Sequence, residues 1–587
     1  MLLITAEVDQ SYIDNNKVLF LGEWCKPYSK KNLWNQDGFT TLTDCWSDRK
    51  NRQNAYNYTN SFYDECITII STHLNDIHQT NYPDSYWKLL CGPWLKLLIN
   101  STYHSYCLIE SAEDIYGNEL KTFFFDNHFK DFIPLDMQDF ETLIVSNSWN
   151  LWIKSLIASE AFQLKTCTHD IKICSHACKI GDEEYSKIKR FLLNCADYIS
   201  GLINIKSKYI FYNPYIKKST LIKLAARFLS VPKYLSHRKF FLKEKFSINI
   251  DIRETSLRIN PRNKFEFFFK DFVLKNIPLV YLEGYEKLDS ISKRVNTTVN
   301  PESIICATSQ FNDDIFKIYA AKKISDGSKL KIISHGGFGQ YLYSDFQDMD
   351  FEVCSDYFSW GWKEYSLKCN QGFLTKNLPI KSKKKTNSGF VHVLLDDHKH
   401  VKFIDSTPSY EQFINDYLNN QINFLNYLDI EIIRHGIIKL GTFKFNDSYQ
   451  NSIEIRLKDA VNYKDLNFSY RDEDFHKKIL NSRIVVCTYN GSNLIESMYL
   501  NKPTIIFWNP THHELIESAR LKYQPLIDAK IFHITPKSAA FHMNDIWNSP
   551  EDWWHSEEVV LAKNNFLEWF GRKSPNPTKE LINFIKK

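Results

Sequence analysis

The sequence lacks a strong charge of one sign, a long apolar run and a secretory leader pattern. Its 73 basic and 69 acidic residues leave a net charge of only +4, so we do not expect binding to nucleic acid. No stretch approaches the roughly 20 apolar residues that span a bilayer. The first residues have no basic region and meet an acidic side chain at Glu7, which is not typical of a signal peptide. We therefore expect a cytoplasmic protein, and peripheral membrane association stays open.

Metal-binding and dinucleotide-binding motifs are also missing. The 13 cysteines include no paired CxxC motif, and the nearest pattern, at positions 167, 174 and 178, lacks zinc-site spacing. The acidic pairs at 313–314 and 396–397 have no further ligands at a suitable spacing, so we expect helix caps or loop acids. No GxGxxG follows the apolar run at 17–22. We predict reduced thiols, no metal and no dinucleotide cofactor.

The composition is that of a large folded protein with alternating helices and strands. With 587 residues, 43 % of them hydrophobic and 15 % aromatic, the chain predicts about two to four domains with full cores. Helical periodicity dominates 53–80, 85–110 and much of 135–230, with a kink or a new helix start at 91–93. The strands are predicted at 2–5, 17–22, 277–282, 303–308, 330–334, 356–362, 389–395, 430–434, 453–457, 484–487 and 502–508.

A polar, basic stretch without periodicity, residues 376–388, divides this pattern, and we interpret it as a solvated linker. It separates an N-terminal α/β domain with helical insertions, residues 1–384, from a C-terminal α/β domain with a tryptophan-rich helical tail, residues 385–587.

The most informative stretch is 488–497, where a predicted strand runs through a tight turn into a helix. Asn490, Gly491, Ser492 and Asn493 place main-chain N–H groups, a hydroxyl and the positive end of a helix dipole at one point, which favours anion binding. Glu496 lies one turn further on, within reach of sugar hydroxyls. The same pattern also fits an ordinary strand-to-helix turn of an α/β domain.

A second motif follows the strand at 330–334. His335, Gly336 and Gly337 combine close backbone approach with a titratable imidazole at the carboxyl end of a parallel strand, where ligand clefts form. Arg456 lies within a predicted strand, and its charge predicts either a buried ion pair or a ligand contact.

Five sequence blocks together resemble a family of bacterial transferases encoded in surface-carbohydrate clusters, often beside genes for nonulosonic, sialic-acid-like sugars. The blocks cover 21–25 (LGEWC), 335–339 (HGGFG), 360–362 (WGW), 489–496 (YNGSNLIE) and 503–508 (PTIIFW). The resemblance runs the whole length, and the chain is similar, more distantly, to capsule-type transferases of 3-deoxy-manno-octulosonate (Kdo). In place of the HGGxYG block of the family pattern, this chain has HGGFGQ at 335–340, without the tyrosine.

The resemblance implies a GT-B glycosyltransferase with two Rossmann-like domains that face a cleft. The C-terminal domain would hold the donor nucleotide and the N-terminal domain the acceptor. The implied reaction is an inverting, metal-independent transfer in surface polysaccharide (O-antigen or capsule) or glycoconjugate biosynthesis. The donor would be a CMP-activated pseudaminic, legionaminic, sialic-like or Kdo sugar, and the acceptor a glycan or lipid-linked glycan, with peripheral association at the inner membrane left open. No cofactor is expected apart from the donor substrate.

This reaction assigns expected roles to the motif residues, because it needs anion stabilisation and a base for the acceptor hydroxyl. The turn would hold the phosphate, Arg456 would be a second donor to it, and Glu496 would bind the ribose. His335 would contact the phosphate or the donor carboxylate. Glu23 would be the base, with His335 as its substitute. The predicted catalytic residues are Glu23 and His335, and the predicted donor-binding residues are Gly336, Gly337, Arg456, Asn490, Gly491, Ser492, Asn493 and Glu496.

Two other functions remain open from the sequence. One is a GT-B transferase of UDP- or GDP-hexoses, and the other is a sugar-nucleotide-binding protein of the assembly machinery without turnover. Replacing Glu23 by Gln separates the catalyst from the binder, since a catalyst loses turnover and keeps nucleotide binding.

Overall fold

In the part of the chain that the computed structural model describes, three parallel β-sheets flanked by helices make up the fold. The structure describes residues 1–8, 13, 17–34, 38–124, 129–168, 204, 206–233, 246–295, 298, 300–336, 339–363, 366–379, 389–395, 399–441, 450–471 and 473–587. The predicted α/β class is confirmed, with two of the three sheets in the N-terminal half. Most of the predicted linker, residues 380–388, lies outside the described residues, and the domain boundary there stays a prediction.

The first sheet has the strand order β3-β2-β1-β4-β5. Its strands are β1 (Leu2–Ile4), β2 (Val18–Phe20), β3 (Phe39–Thr41), β4 (Lys121–Phe124) and β5 (Lys165–Thr168). Its helices are Arg49–His78, Asp84–Tyr116, Met137–Leu143 and Asn147–Glu160. Of the kink or new helix start predicted at 91–93, the new start is excluded, because the single helix Asp84–Tyr116 includes Pro93. Gly92 packs so closely that a Cβ there would lie 2.6 Å from the Tyr63 hydroxyl, and this tight tertiary packing overrides the local helix-breaking signal.

The second sheet has the order β10-β9-β8-β7-β6. Its strands are β6 (Tyr209–Tyr212), β7 (Ser303–Cys306), β8 (Lys329–Ile333), β9 (Asp356–Phe358) and β10 (Cys369–Asn370). The helices are Lys218–Phe228, Ile250–Arg253, Lys264–Asn276, Tyr285–Val295, Ser309–Asn312, Asp314–Ser325 and Asp345–Val353. Asp313 caps one of these helices by accepting from the N–H of Phe316, as expected for this acidic pair. The pair at 396–397 lies outside the described part of the chain, as do residues 174 and 178 and the side chain of Cys167.

The predicted strand at 277–282 is wrong, because Leu279–Tyr281 forms a short 3-10 helix. Its main-chain N–H groups form hydrogen bonds outside any sheet. The N–H groups of Leu279 and Val280 donate to the carbonyls of Pro134 and Leu135 at 2.9 and 3.1 Å. A buried apolar run of this length does not by itself distinguish a strand from another buried segment.

The third sheet has the order β13-β12-β11-β14-β15-β16. Its strands are β11 (Phe390–Val393), β12 (Gly436–Lys439), β13 (Asn467–Ser469), β14 (Ile484–Cys487), β15 (Thr504–Phe507) and β16 (Phe532–His533). The helical segments are Tyr410–Gln412, Phe413–Tyr417 (a π-turn), Leu418–Tyr427, Ile430–Ile433, Gln450–Ala460, Phe475–Asn481, Ser492–Tyr499, Glu517–Asp528, Pro536–Ile546, Pro550–Trp554, Glu557–Phe570 and Pro577–Lys586. The tail is helical, as predicted.

Two predicted strands of this region, at 430–434 and 453–457, are helices instead. Ile453 and Leu457 are buried while the three residues between them are only half-buried, so the apolar spacing is that of one helix face. The strand expected at 430–434 begins later, at Gly436.

The last helix, Pro577–Lys586, returns to the second sheet. Its Phe584 ring packs 4.9 Å from that of Phe358, and the Lys331 ammonium donates to the Phe584 carbonyl at 2.8 Å. This contact fastens the end of the chain to the N-terminal half. None of the helices in the described ranges is long and apolar enough to cross a membrane.

Candidate functional site

The two sequence motifs meet where the carboxyl ends of the second and third sheets face each other. Tyr341, in the loop after β8, donates its hydroxyl to the main-chain oxygen of Asn490, in the turn after β14. The Tyr523 hydroxyl donates to Asn490 Oδ1 at 2.8 Å and also contacts Gln340. Gln340 and Tyr341, which follow the His-Gly-Gly motif, therefore lie against the turn at Asn490, and the cleft that the resemblance implies stays a prediction.

The turn ends in a helix whose N-cap residue has no side chain to cap it. The helix begins at Ser492, with Gly491 as its extended N-cap. Gly491 is required by close packing, since a Cβ would lie 2.5 Å from the Tyr489 ring and 3.0 Å from Asn493 Oδ1. A helix start of this kind offers orphan N–H groups and the positive end of the dipole to an anion.

The amide of Asn493 lies at this helix start and is buried, with 6 % exposure. Neither its oxygen nor its nitrogen has a hydrogen-bond partner within the described part of the chain, and the same holds for the nitrogen of Asn490. Buried polar atoms in folded proteins are rarely left in this state. Both side chains thus present unused hydrogen-bonding capacity at the positive end of the helix.

Glu496 lies one turn into the helix and is held between two basic groups. Its Oε1 is 2.7 Å from the Lys376 ammonium, and its Oε2 is 2.6 Å from His476 Nε2. Burial alone would raise the pKa of Glu496, but the hydrogen bond from His476 and the charge of Lys376 hold that pKa below its usual value. Lys376 is therefore part of the site, although the sequence placed it at the start of a solvated linker.

His335 follows β8 and is half-buried. Its ring centroid lies 5.2 Å from that of Phe346 and 6.1 Å from that of Tyr215. Burial and the nearby charge of Lys376 lower the pKa of His335 to about 4, so the imidazole is neutral at pH 7. Gly336 is buried and its carbonyl accepts from the Ser334 hydroxyl at 2.7 Å, whereas Gly337 lies outside the described residues.

This arrangement predicts a measurable coupling between Lys376 and His335. Replacing Lys376 by Met removes a positive charge that disfavours the imidazolium, so the pKa of His335 is expected to rise. An NMR titration of the imidazole C–H signal checks this shift. Lys363→Met, at an exposed lysine of the same sheet region, is the control. An unchanged His335 titration in Lys376→Met would contradict the geometry described here.

Glu23 and Arg456 lie where the first sheet contacts the third. Glu23 opens a short 3-10 helix after β2, and its carboxylate, 17 % exposed, pairs with Lys26 at 2.8 Å. Arg456 lies on the helix Gln450–Ala460, not on a strand, and its guanidinium is 4.2 Å from the Tyr28 ring centroid. Glu23 therefore lies within the segment 22–34, and Arg456 contacts the same segment through Tyr28. The roles of Glu23 as base and of Arg456 as donor contact stay predictions.

Several residues of the site were not found from the sequence. Gln340 and Tyr341 follow the His-Gly-Gly motif directly, so their position was a usable signal. His476 and Tyr523 carry no local pattern, because only the tertiary fold brings them to Glu496 and Asn490. A further group, formed by Asp44, Cys45 and His104, joins residues about 60 positions apart and is likewise invisible to motif analysis.

Comparison with solved structures finds similar chains at low identity. A putative UDP-N-acetylglucosamine 2-epimerase from Listeria monocytogenes aligns at TM-score 0.38 and 10 % identity, over 65 % of this chain and 96 % of that one. Anabaena Alr3699/HepE, solved with UDP and glucose, aligns at TM-score 0.37 and 9 % identity, over 65 % and 99 %. TarM aligns at TM-score 0.31 and 10 % identity, over 52 % of this chain and only 58 % of TarM itself. Similarity of this degree does not identify a substrate.

Sequence comparison assigns the family. The curated proteins contain no significant match to this chain. The sequence profile of the LIC12162 family transferases, in contrast, matches residues 1–585. The match covers nearly the whole length, as the resemblance did, and the chain belongs to the LIC12162 family of transferases.

Proposed function

We propose that this chain is an inverting glycosyltransferase that transfers an acidic, nonulosonic-type sugar from a CMP-activated donor to a glycan acceptor. The observation that carries the proposal is the uncapped helix start at Gly491, with the buried amide of Asn493 beside it and the loop after β8 opposite. This is the chemistry that a leaving phosphate requires, because N–H donors and a helix dipole stabilise the charge that develops on it.

Lys376 supports an acidic donor sugar. A CMP-nonulosonate carries a carboxylate next to its anomeric carbon, in addition to the phosphate. The Lys376 ammonium has three hydrogens and uses one of them on Glu496, so it has donors left for that carboxylate. Glu496 and His476 keep the ammonium at the cleft, and a ribose hydroxyl would reach the remaining lone pairs of Glu496.

The base that activates the acceptor hydroxyl would come from the N-terminal half. His335 is neutral at pH 7 because its pKa is lowered to about 4, so its imidazole can accept a proton only as a weak base. Glu23 is the preferred candidate for the base, and the Lys26 ammonium holds its carboxylate at 2.8 Å. Replacing Glu23 by Gln should therefore remove turnover and leave donor binding intact.

Thermal unfolding in the presence of CMP, CDP, UDP and GDP tests the donor assignment. A ligand that binds only the native state, at about 100 times its dissociation constant, adds about 2.7 kcal/mol to the free energy of unfolding. We expect a selective rise of the unfolding temperature with CMP. A selective rise with UDP or GDP would overturn the CMP donor in favour of a hexose transferase. If no nucleotide raises it, the turn at 490–493 is an ordinary strand-to-helix connection and the proposal fails.

A further inference from the structure

A cluster of metal-ligand side chains lies at the edge of the first sheet, away from the motifs of the proposed donor site. Asp44 and Cys45 follow β3, and His104 lies on the helix Asp84–Tyr116. Asp44 Oδ1 is 3.2 Å from His104 Nε2, and one ligand atom from each of the three residues lies within 4.8 Å of the other two. Asp44 and His104 are only 4 % and 5 % exposed, and Cys45 is half-buried.

A second thiol completes the group. Cys107 lies three residues after His104 on the same helix, so both side chains project from one face. The Cys107 thiol lies beside that of Cys45. Asp44, Cys45 and His104 thus present one sulfur, one imidazole nitrogen and one carboxylate oxygen around one point, with the second sulfur next to it.

We propose that Asp44, Cys45, His104 and Cys107 bind a zinc-class divalent ion with a structural role. Zn²⁺ prefers four nitrogen, sulfur and oxygen ligands in a tetrahedron, at about 2.0–2.3 Å from the metal. Ligand atoms around such an ion are roughly 3.3–3.8 Å apart. Side-chain rotations that bring the atoms of Asp44, Cys45 and His104 together by about 1 Å, with a larger rotation of Cys107, would close the site. Sulfur and nitrogen ligands favour zinc over magnesium or calcium, which prefer oxygen.

Neighbouring residues already orient the ligands. The main-chain N–H of Trp46 donates to Asp44 Oδ1 at 2.8 Å, and the Trp46 ring lies 4.5 Å from the His104 imidazole. Contacts of this kind fix ligand side chains in metal sites. A further polar group beside the cluster is Glu411, whose carboxylate accepts from the main-chain N–H of Asp44 at 2.8 Å.

The contact with Glu411 gives the ion its structural role. Glu411 lies in the helical segment Tyr410–Gln412, after β11. The residues beside these two also meet, with Ser47 Oγ 2.7 Å from Ser409 Oγ. The Gln412 side chain donates to the Ser47 carbonyl at 3.0 Å. A metal on Asp44 and Cys45 would therefore fasten the loop that joins the first sheet to the third, and its loss would weaken that contact.

Metal analysis of the full chain, purified without chelators, tests the site. We expect about one zinc ion per chain in the wild type and a loss of most of it in Cys45→Ser and in His104→Gln. The control is Cys369→Ser, which changes another half-buried cysteine, in the second sheet, and should keep the metal. Replacing zinc by Co²⁺ in the wild type should give the absorption bands of thiolate-bound, tetrahedral cobalt, and a chelator should lower the unfolding temperature of the wild type but not of Cys45→Ser.

Two results would overturn the proposal. One is a wild-type chain that holds no stoichiometric zinc and gives no thiolate–cobalt bands. The other is an intact mass lower by two hydrogen atoms and restored by a reductant, which would identify a Cys45–Cys107 disulfide instead of a metal site. If Cys45→Ser does not fold, His104→Gln and the cobalt spectrum of the wild type still decide the question, and neither measurement depends on transferase activity.

Discussion

Replacing Asn493 by Asp is expected to weaken CMP binding about 100-fold, which corresponds to about 2.7 kcal/mol. The new carboxylate would lie at the buried helix start, where it would repel the phosphate from the N–H groups that should hold it. The helix dipole favours an acidic side chain in the first turn and offsets part of the burial cost, so the variant should still unfold cooperatively. At a CMP concentration that stabilises the wild type by about 2.7 kcal/mol, the gain in the variant should fall to about 0.4 kcal/mol.

The matched control for this substitution is Asn576→Asp. Asn576 caps the helix Pro577–Lys586 by accepting from the main-chain N–H of Lys579, and Asp caps a helix as well as Asn does. This control should keep both stability and CMP binding. Equal CMP affinity in Asn493→Asp and wild type would show that the helix start at 492 is not the phosphate site.

Replacing Arg253 by Met is expected to lower the free energy of unfolding by about 3–5 kcal/mol. The Arg253 side chain is fully buried and binds both oxygens of Glu283, at 2.7 and 2.6 Å, as well as the carbonyls of Leu274 and Ile277. Methionine would leave a buried carboxylate and two carbonyls without this partner. Urea unfolding of the variant and the wild type measures the loss.

A surface pair provides the comparison for Arg253. Arg434 and Glu431 form an ion pair 2.6 Å long whose side chains are 50 % and 65 % exposed, so Arg434→Met should cost less than about 1 kcal/mol. The double variant Arg253→Met with Glu283→Gln should recover part of the stability, because the uncompensated charge is gone. If Arg253→Met costs no more than Arg434→Met, the buried pair does not hold the segment 274–283 in place.

The parts of the fold that the sequence predicted well are those fixed by local pattern. The helix that begins at Ser492 and the strands β14 and β15 on either side follow from a short buried run, an Asn-Gly turn and a second buried run. The helices of the first half were found because their apolar spacing extends over many turns. Both signals lie within one segment and need no knowledge of its neighbours.

The predictions that failed depend on neighbours that are distant in the sequence. Residues 277–282 are held by the carbonyls of 134–135 and by Arg253, so their apolar character does not produce a strand. At 453–457, Ile453 and Leu457 have the spacing of a helix face, and the longer helix Gln450–Ala460 forms in place of the predicted strand. Lys376 begins a stretch whose composition is that of a solvated linker. Its partner Glu496 lies 120 positions further on, so the local sequence gives no sign of their ion pair.

The same reason limits prediction of the site. The turn residues Asn490, Gly491, Ser492 and Asn493 could be predicted as donor-binding residues because the turn and the helix start depend on the local sequence. That role stays a prediction. The side chains that surround them from the second sheet and from the later helices, such as Tyr341 and Tyr523, reach the turn only through the tertiary fold. Arg456 was placed on a strand because its helix was not foreseen, and its ring contact with Tyr28 depends on the first sheet.

The measurement that tests the central claim most directly is sugar transfer itself. The purified chain is incubated with CMP-activated sialic, pseudaminic, legionaminic or Kdo donors and a bacterial glycolipid extract, and both the released nucleotide and the mass of the glycolipid are followed. We predict release of CMP together with an equal amount of glycolipid heavier by one acidic sugar, and a loss of both in Asn493→Asp. Release of UDP or GDP from hexose donors, with no CMP released from any of the four acidic donors, would contradict the proposed function.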